Sequence, residues 1–220
     1  MTNSEKNVLV VGASGVFGSI IAKRFIDQGF KVLGTARNTD AIPSEATKLR
    51  LDLADQASID LVVNYLLTES IALSGIVIAS GVVGFGKVTE TSAEDALQLM
   101  QVNNLGPANL ISRLKPLLVE ESFVIAITGV VAERTFPGMA AYCSSKMAFG
   151  AFLSTIATEW RRDKVQILDA RPGHTETGLA SRAVFGTAPA FPQGMTPEHV
   201  IDVIFSSLAE GKGIVGSSEF

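Results

Sequence analysis

The sequence predicts an α/β fold, a doubly wound parallel sheet of about seven strands with helices on both faces. Two observations carry this expectation. Short β-branched runs alternate with longer segments of helical period along the whole chain, and several of the runs are apolar on both faces, as strands covered by helices on each side must be. A third observation says where to look for chemistry: the first run passes straight into the glycine-rich turn GASGVFG and then a helix. In such sheets ligands sit beyond the carboxyl ends of the strands.

Taken in order, NVLVV (7–11) reads as the first strand and GVFGSIIAKRFIDQG as the helix after it. KVLGTA (31–36) and TKLRL (47–51) follow as strands, DQASIDLVVNYLLTES as a helix and SGIVIAS (74–80) as the fourth strand. Residues 92–118 have apolar residues near three-to-four spacing throughout and read as one long helix. SFVIAIT (122–128) is the fifth strand, GMAAYCSSKMAFGAFLSTIATEWRRD a second long helix and KVQILDA (164–170) the sixth strand. TPEHVIDVIFSSLAEG opens with Thr196 before Pro197, an N-cap followed by proline at the first helical position, and GKGIVG (211–216) is a weaker last strand. No Pro, Gly or Ser stretch is long enough to be a linker and no repeat is evident, so 1–220 is expected to be one domain.

Composition narrows the function. The 220 residues are 47% hydrophobic, enough for a sizeable core, and the net charge is -4 with no basic cluster larger than Arg161-Arg162. Neither a nucleic-acid footprint nor a polybasic membrane patch is present, so small molecules are the expected partners. The single cysteine, Cys143, excludes an internal disulfide, and with only two histidines no metal site is expected. The polar start MTNSEKN does not read as a secretory signal. The longest apolar stretch, GIVIASGVVGFG, is far short of the roughly 20 residues that span a bilayer, so a soluble cytoplasmic protein is expected.

The strand ends supply candidate binding residues. Gly12 permits a tight turn, Gly15 and Gly18 let backbone approach a pyrophosphate and pack helix on sheet, and Ser14 and Val16 lend N–H groups, with Phe17 in the same turn. About 20 residues past this loop an acid would grip the adenosine 2'-hydroxyl of NAD; the sequence TARN offers Ala36 and Arg37 instead, which favours the 2'-phosphate of NADP(H). Asp52, just past the third strand, either accepts from an adenine amino group or caps the next helix. Tyr142 and Lys146 stand four apart, on one face of a helix, where a cation one turn away would bring a phenol of pKa about 10 toward neutrality.

Glycine loop, strand-end Asp, Gly81 after the fourth strand, Asn103 in a long helix, Tyr-x-x-x-Lys and a later Pro-Gly-x-x-x-Thr, in this order, resemble the short-chain dehydrogenase/reductase family over essentially the whole chain. The resemblance implies a Rossmann-like fold and a catalytic set of Tyr142, Lys146 and Asn103. Tyr142 would exchange a proton with a substrate carbonyl or alcohol; Lys146 would lower its pKa and bind the nicotinamide ribose; Asn103 would hold a relay water. Counting to Gly106 in the family's N-x-x-G arrangement selects Asn103 over Asn104. Pro172, Gly173 and Thr177, with Thr175 nearby, would bind the nicotinamide carboxamide. A homodimer or homotetramer through the long helices is implied as well.

The chain also departs from the family pattern. A serine that binds the substrate oxygen is expected thirteen positions before the tyrosine, and Gly129 stands there. Thr128 is one residue early, so its side chain should face the other way. The glycines are spaced G-x-x-G-x-x-G where the usual single-domain members have G-x-x-x-G-x-G, and the family's NNAG reads IASG. Residues 178–195 lie where the family carries a lid over the substrate, and Gly129, Val130, Met139, His174 and Phe185, with Phe85, Phe136 and Phe191, would line a mostly apolar pocket. The expected function is NADPH-dependent, reversible reduction of a ketone or aldehyde on a small, largely apolar molecule. Two alternatives follow from Gly129: a catalytically impaired NADP(H)-binding sensor, or a Tyr142-dependent isomerase or lyase.

Overall fold

The computed structural model describes residues 6–220. Seven strands, β1 (Asn7–Val11), β2 (Lys31–Ala36), β3 (Thr47–Arg50), β4 (Leu73–Ile78), β5 (Leu118–Ile127), β6 (Gln166–Ala170) and β7 (Ile214–Val215), form one sheet in the order β3-β2-β1-β4-β5-β6-β7. Every neighbouring pair is parallel. The helices are α1 (Val16–Asp27), α2 (Gln56–Thr68), α3 (Ala93–Met100), α4 (Gly106–Leu114), α5 (Ala140–Glu159) and α6 (Pro197–Ala209). This is the doubly wound, Rossmann-like architecture that the sequence predicts. The strand order reverses between β1 and β4, which opens a crevice at their carboxyl ends.

The pleat of β1 shows why its neighbours are apolar on both faces. Leu9 and Val11 point toward a core built with Ile59 of α2, Leu110 of α4 and Phe149 of α5. Val8 and Val10 point the opposite way, against Ile21 and Phe25 of α1 and Ile201 and Ile204 of α6. Phe25 anchors this second layer, fully buried among the rings of Phe30, Phe123 and Phe205 at 5.0–5.4 Å. α6 begins as expected, with the Thr196 hydroxyl accepting from the His199 N–H at 3.4 Å and Pro197 at the first helical position.

Three boundaries differ from the sequence expectation. β5 starts at Leu118, four residues early, because Leu118 pairs with Leu73 before a register shift that contains Glu121 at φ 62°. The last strand shrinks to two residues that pair with Asp169 and Ala170. Most consequential, the segment 92–118 is not one helix: a single π turn, Gln101–Leu105, separates α3 from α4. Pro107 has no N–H to return to the carbonyl of Asn103 four residues back, so a regular ladder cannot pass through this point. That break sets Asn103 at a bend facing the end of β4. Among the described residues no helix is long and apolar enough to cross a membrane.

Candidate active site

The turn after β1 is fixed by backbone crowding. Gly12 sits at φ 89°, and a side-chain carbon there would lie 2.9 Å from the backbone nitrogen of Ser80, at the end of β4. A carbon on Gly18 would fall 2.1 Å from the Gly12 carbonyl oxygen, so α1 can start this close to the strand only without one. The Gly12 and Ala13 N–H groups both donate to Thr35 O at 2.9 Å, which ties the turn to β2. α1 then begins from Gly15 with no capping side chain and no acidic residue in its first turn, leaving the helix N-terminus with its positive end uncompensated. Ser14 and Val16 are exposed beside it and Phe17 is half-buried.

Arg37 is exposed directly after β2, with no ion pair among the described residues. Asp52 is half-buried at the end of β3, where its carboxylate accepts the Ala54 N–H at 3.0 Å while its own N–H donates to Ser58 Oγ at 2.9 Å. The cap of α2 is Asp55, which accepts from the Ala57 N–H at 2.9 Å, so the capping alternative for Asp52 does not hold. An uncapped helix start, a glycine cradle and an unpaired guanidinium one strand away fit the pyrophosphate and 2'-phosphate of a nicotinamide dinucleotide.

Across the crevice the ends of β4 and β5 meet α5. Tyr142 and Lys146 lie one turn apart on its buried face, 8% and 5% exposed. Lys146 Nζ donates to Ile127 O, the last carbonyl of β5, at 3.0 Å. Asn103 is fully buried at the π turn, where its amide NH2 donates to Val82 O at 2.9 Å and to Ser145 Oγ at 3.0 Å while its Oδ1 accepts the Val82 N–H at 2.9 Å. Ser145 in turn donates to Tyr142 O at 2.8 Å. Gly81 stands between them: a carbon added to it would come within 3.2 Å of Lys146 Nζ and 3.3 Å of Asn103 Oδ1. Residues up to 65 positions apart in the chain thus converge on one point, with the Tyr142 ring on its apolar side.

The electrostatics differ from the sequence expectation. Burial pushes the Tyr142 phenol above its usual value, with the neighbouring Cys143 adding to the shift. The expected lowering by Lys146 is not seen in the chain alone, because the ammonium is turned to the Ile127 carbonyl. Burial also lowers Lys146, from 10.5 to about 8, and the Asp169 carboxylate partly opposes that fall.

Beyond β5 the backbone turns through Gly129 at φ 85°. Thr128 and Gly129 both donate their N–H to Ala170 O, at 2.9 and 3.2 Å, and Val130 N–H donates to Pro172 O at 2.8 Å. The Thr128 side chain lies on the α5 face of the sheet, as do Val124 and Ala126, and its hydroxyl donates to Asp169 Oδ1 at 2.5 Å. After Pro172 and Gly173, Thr175 donates its hydroxyl to Gly173 O at 3.1 Å, and the Thr177 hydroxyl accepts the Leu179 N–H at 3.4 Å.

The pocket expected over Tyr142 is partly redrawn. Phe85, Phe136, Met139 and Phe185 do pack in the apolar cluster that contains Tyr142, joined by Val83 and Leu99. Val131 joins it too, whereas Val130 begins the short turn after β5 and stays outside. The His174 ring stacks on Phe191 at 4.7 Å, Phe191 lies 6.2 Å from the Phe85 ring, and His174 Nε2 is 3.6 Å from Glu176. The 178–195 segment lies across this cluster, with Val184 N–H donating to Val83 O at 2.8 Å and Phe85 N–H to Phe185 O at 3.0 Å. Sequence reasoning missed Asp169, although its signal was present as the one acid inside the run KVQILDA. Among the described residues no group of three or more His, Cys, Asp or Glu side chains is arranged to hold a metal ion.

Comparison with known proteins places this geometry. Residues 6–184 match the sequence model of the short chain dehydrogenase family. The 2,3-dihydro-2,3-dihydroxybenzoate dehydrogenase of Escherichia coli is 30% identical over 183 residues, covering 81% of this chain and 73% of that protein. Among solved structures, a short-chain dehydrogenase from Sphingobium yanoikuyae in complex with NADPH superposes with a TM-score of 0.85 at 19% identity, covering 96% of this chain and 87% of that one. A 4-hydroxyisoleucine dehydrogenase complexed with NADH gives 0.79 at 18% identity, covering 96% of each chain.

Two stability measurements test this description. Replacing Lys146 by Met removes a cation whose burial lowers its pKa to about 8. The folded state therefore binds the Lys146 proton less tightly than the unfolded one, and pays that difference in full at pH values below the folded pKa. Lys146→Met should raise the unfolding free energy at pH 7 by on the order of 1–3 kcal/mol in urea titrations, with the gain shrinking between pH 8 and 10.5. A constant gain across that window would show that packing, not charge, is responsible. Gly129→Ser has room, its nearest neighbour being Pro172 O at 3.6 Å, but not the backbone: φ 85° should cost a serine about 1–2 kcal/mol. An unchanged melting temperature would mean that this turn relaxes freely.

Proposed function

The chain belongs to the short-chain dehydrogenase/reductase family, and from that premise we propose that it is an NADP(H)-dependent reductase of a ketone or aldehyde on a small, largely apolar molecule. One observation carries the reading: Tyr142, Lys146, Asn103 and Gly81 converge beyond the carboxyl ends of β4 and β5, facing a glycine turn and an uncapped helix start across the crevice. A bound nicotinamide dinucleotide supplies the hydride. Gly12, Gly15, Gly18 and the first turn of α1 hold its pyrophosphate, Arg37 its 2'-phosphate, and Pro172, Gly173, Thr175 and Thr177 its carboxamide end.

Tyr142 holds the proton. Its raised pKa keeps the phenol protonated throughout the neutral range, which is the form that gives a proton to a carbonyl oxygen as hydride arrives at the carbon. Lys146 sits one turn away with its pKa lowered by burial to about 8, suited to passing a proton on to Tyr142 and to binding ribose hydroxyls. Asn103 fixes the 81–82 loop and the first turn of α5 at one distance from each other. With Gly129 at the end of β5 and the Thr128 hydroxyl committed to Asp169, the substrate oxygen is assigned to Tyr142. The apolar cluster above Tyr142 presents Phe85, Val131, Met139 and Phe185, which favours apolar substituents on the carbonyl.

Consumption of NADPH by the purified chain, followed over a panel of ketones, aldehydes and quinones, tests the reading. Tyr142→Phe should lower kcat by about 10²- to 10⁴-fold while leaving NADPH affinity in place. Undiminished turnover in that variant would refute the proton-transfer role, and NADPH binding with no turnover of any carbonyl would refute the reductase. Arg37→Ala should weaken NADPH binding about tenfold and NADH binding hardly at all, read by titration of cofactor fluorescence. Equal weakening of both would remove the case for NADP(H).

A further inference from the structure

Among the described residues only two charged side chains are buried, Lys146 at 5% exposure and Asp169 at 2%, and they lie in elements packed face to face. Lys146 projects from α5 to the last carbonyl of β5, and Ile127, which owns that carbonyl, pairs in register with Ala170, the residue after Asp169. One turn along α5 from Lys146 stands Gly150. Asp169 Oδ2 and Arg171 Nη2 come within 3.5 and 3.6 Å of where a side-chain carbon on Gly150 would begin, so the pair fills the space under the helix that glycine leaves. Arg171 donates to Asp169 through Nε at 2.9 Å and Nη2 at 2.7 Å, and Thr128 donates from the end of β5 at 2.5 Å.

A buried carboxylate is costly unless it is paired and hydrogen-bonded, and this one is both, on the side of the sheet where Lys146 lies. We propose that Asp169 is a positioning residue for the reaction: through Thr128 it pins the end of β5 whose carbonyl receives Lys146, and through its charge it keeps the Lys146 ammonium protonated. Arg171 restrains that charge. The proposal rests on the role given above to Lys146.

The other groups around α5 do not substitute for Asp169. Tyr142 and Cys143 flank Lys146 on its own helix, and the π turn contributes the uncharged Asn103. On α3, Glu94 is exposed and Asp95 is bonded to Ser92; after β5, Glu133 is taken up by Ser217. Arg161, Arg162 and Asp163 lie past the far end of α5, with Asp163 paired to Lys115. Burial drives the Lys146 proton off and Asp169 is the group that opposes it.

The test is a titration of lysine 13Cε resonances by NMR in the cofactor-free protein, with the Lys146 signal assigned through Lys146→Arg. In Asp169→Asn, which keeps an acceptor for Thr128, the Lys146 midpoint should fall by about one unit or more, and in Arg171→Gln it should rise. In turnover assays the alkaline limb of kcat/KM should move the same way in each variant, since activity that needs a protonated Lys146 is lost as pH passes its midpoint. Midpoints unmoved, to within about 0.2 unit, in Asp169→Asn would overturn the proposal. If that variant does not fold, an unmoved midpoint in Arg171→Gln would overturn it equally. A chain that turns over no carbonyl would sink the reductase reading, yet the NMR midpoints would still decide whether Asp169 governs Lys146.

Discussion

The parallel direction of all seven strands is the constraint on which the rest depends. Each strand hands the chain to a crossover at the same edge, so the segments after β1, β4, β5 and β6 gather there although they are far apart in sequence. Helices on both faces then leave the strands no wet side, and the backbone polar groups within them are partnered along the sheet itself. The strand ends are where this relaxes, and the chain places there Gly12, Gly81, Thr128 and Asp169. Chemistry gathers at that edge because burial excludes it from the rest of the sheet.

Much of this was legible in the sequence because it depends on local pattern. β1 and β2 fall on the residues where alternation with helical segments puts them, and the Thr196-Pro197 signal marks the first residue of α6. The glycine turn is legible too, since Gly12 and Gly18 answer to crowding within a few residues. Other features depend on contacts between distant segments. The apolar spacing of 92–118 continues through Asn103, and only the missing N–H of Pro107, combined with the close approach of Gly106 to Leu53 O, turns the helix there. The early start of β5 is decided by its partner Leu73, not by the charged residues of its own segment. Val131 rather than Val130 faces Tyr142 because the turn at Gly129 reverses the alternation that a continued strand would have had.

Burial explains why the titrating groups behave unlike free side chains. A neutral phenol is favoured in the apolar cluster and a neutral amine under α5, so the two shifts have one cause and opposite consequences: Tyr142 keeps its proton more tightly and Lys146 less tightly. A pair that differs in this way is suited to directional proton transfer, from the group that readily gives to the one that holds. The cost of the buried Lys146 charge is borne in stability.

The turn at the end of β5 shows how a single glycine can reflect a differently built site and not merely a deleted hydroxyl. Three consecutive N–H groups, from Thr128, Gly129 and Val130, are committed to the carbonyls of Ala170 and Pro172, which locks the end of β5 onto the end of β6. Making those bonds with Thr128 turned to Asp169 requires the left-handed backbone that Gly129 adopts, and that backbone disfavours any residue with a side chain. The hydroxyl of this strand is thus present but committed to Asp169, on the side of the sheet that α5 covers. Gly129 thus stands at the strand end without a hydroxyl, and the one beside it, on Thr128, serves a buried carboxylate. Where the resembling pattern has a side chain bonding the substrate directly, this chain has one bonding a buried carboxylate on the side of the sheet where Lys146 lies.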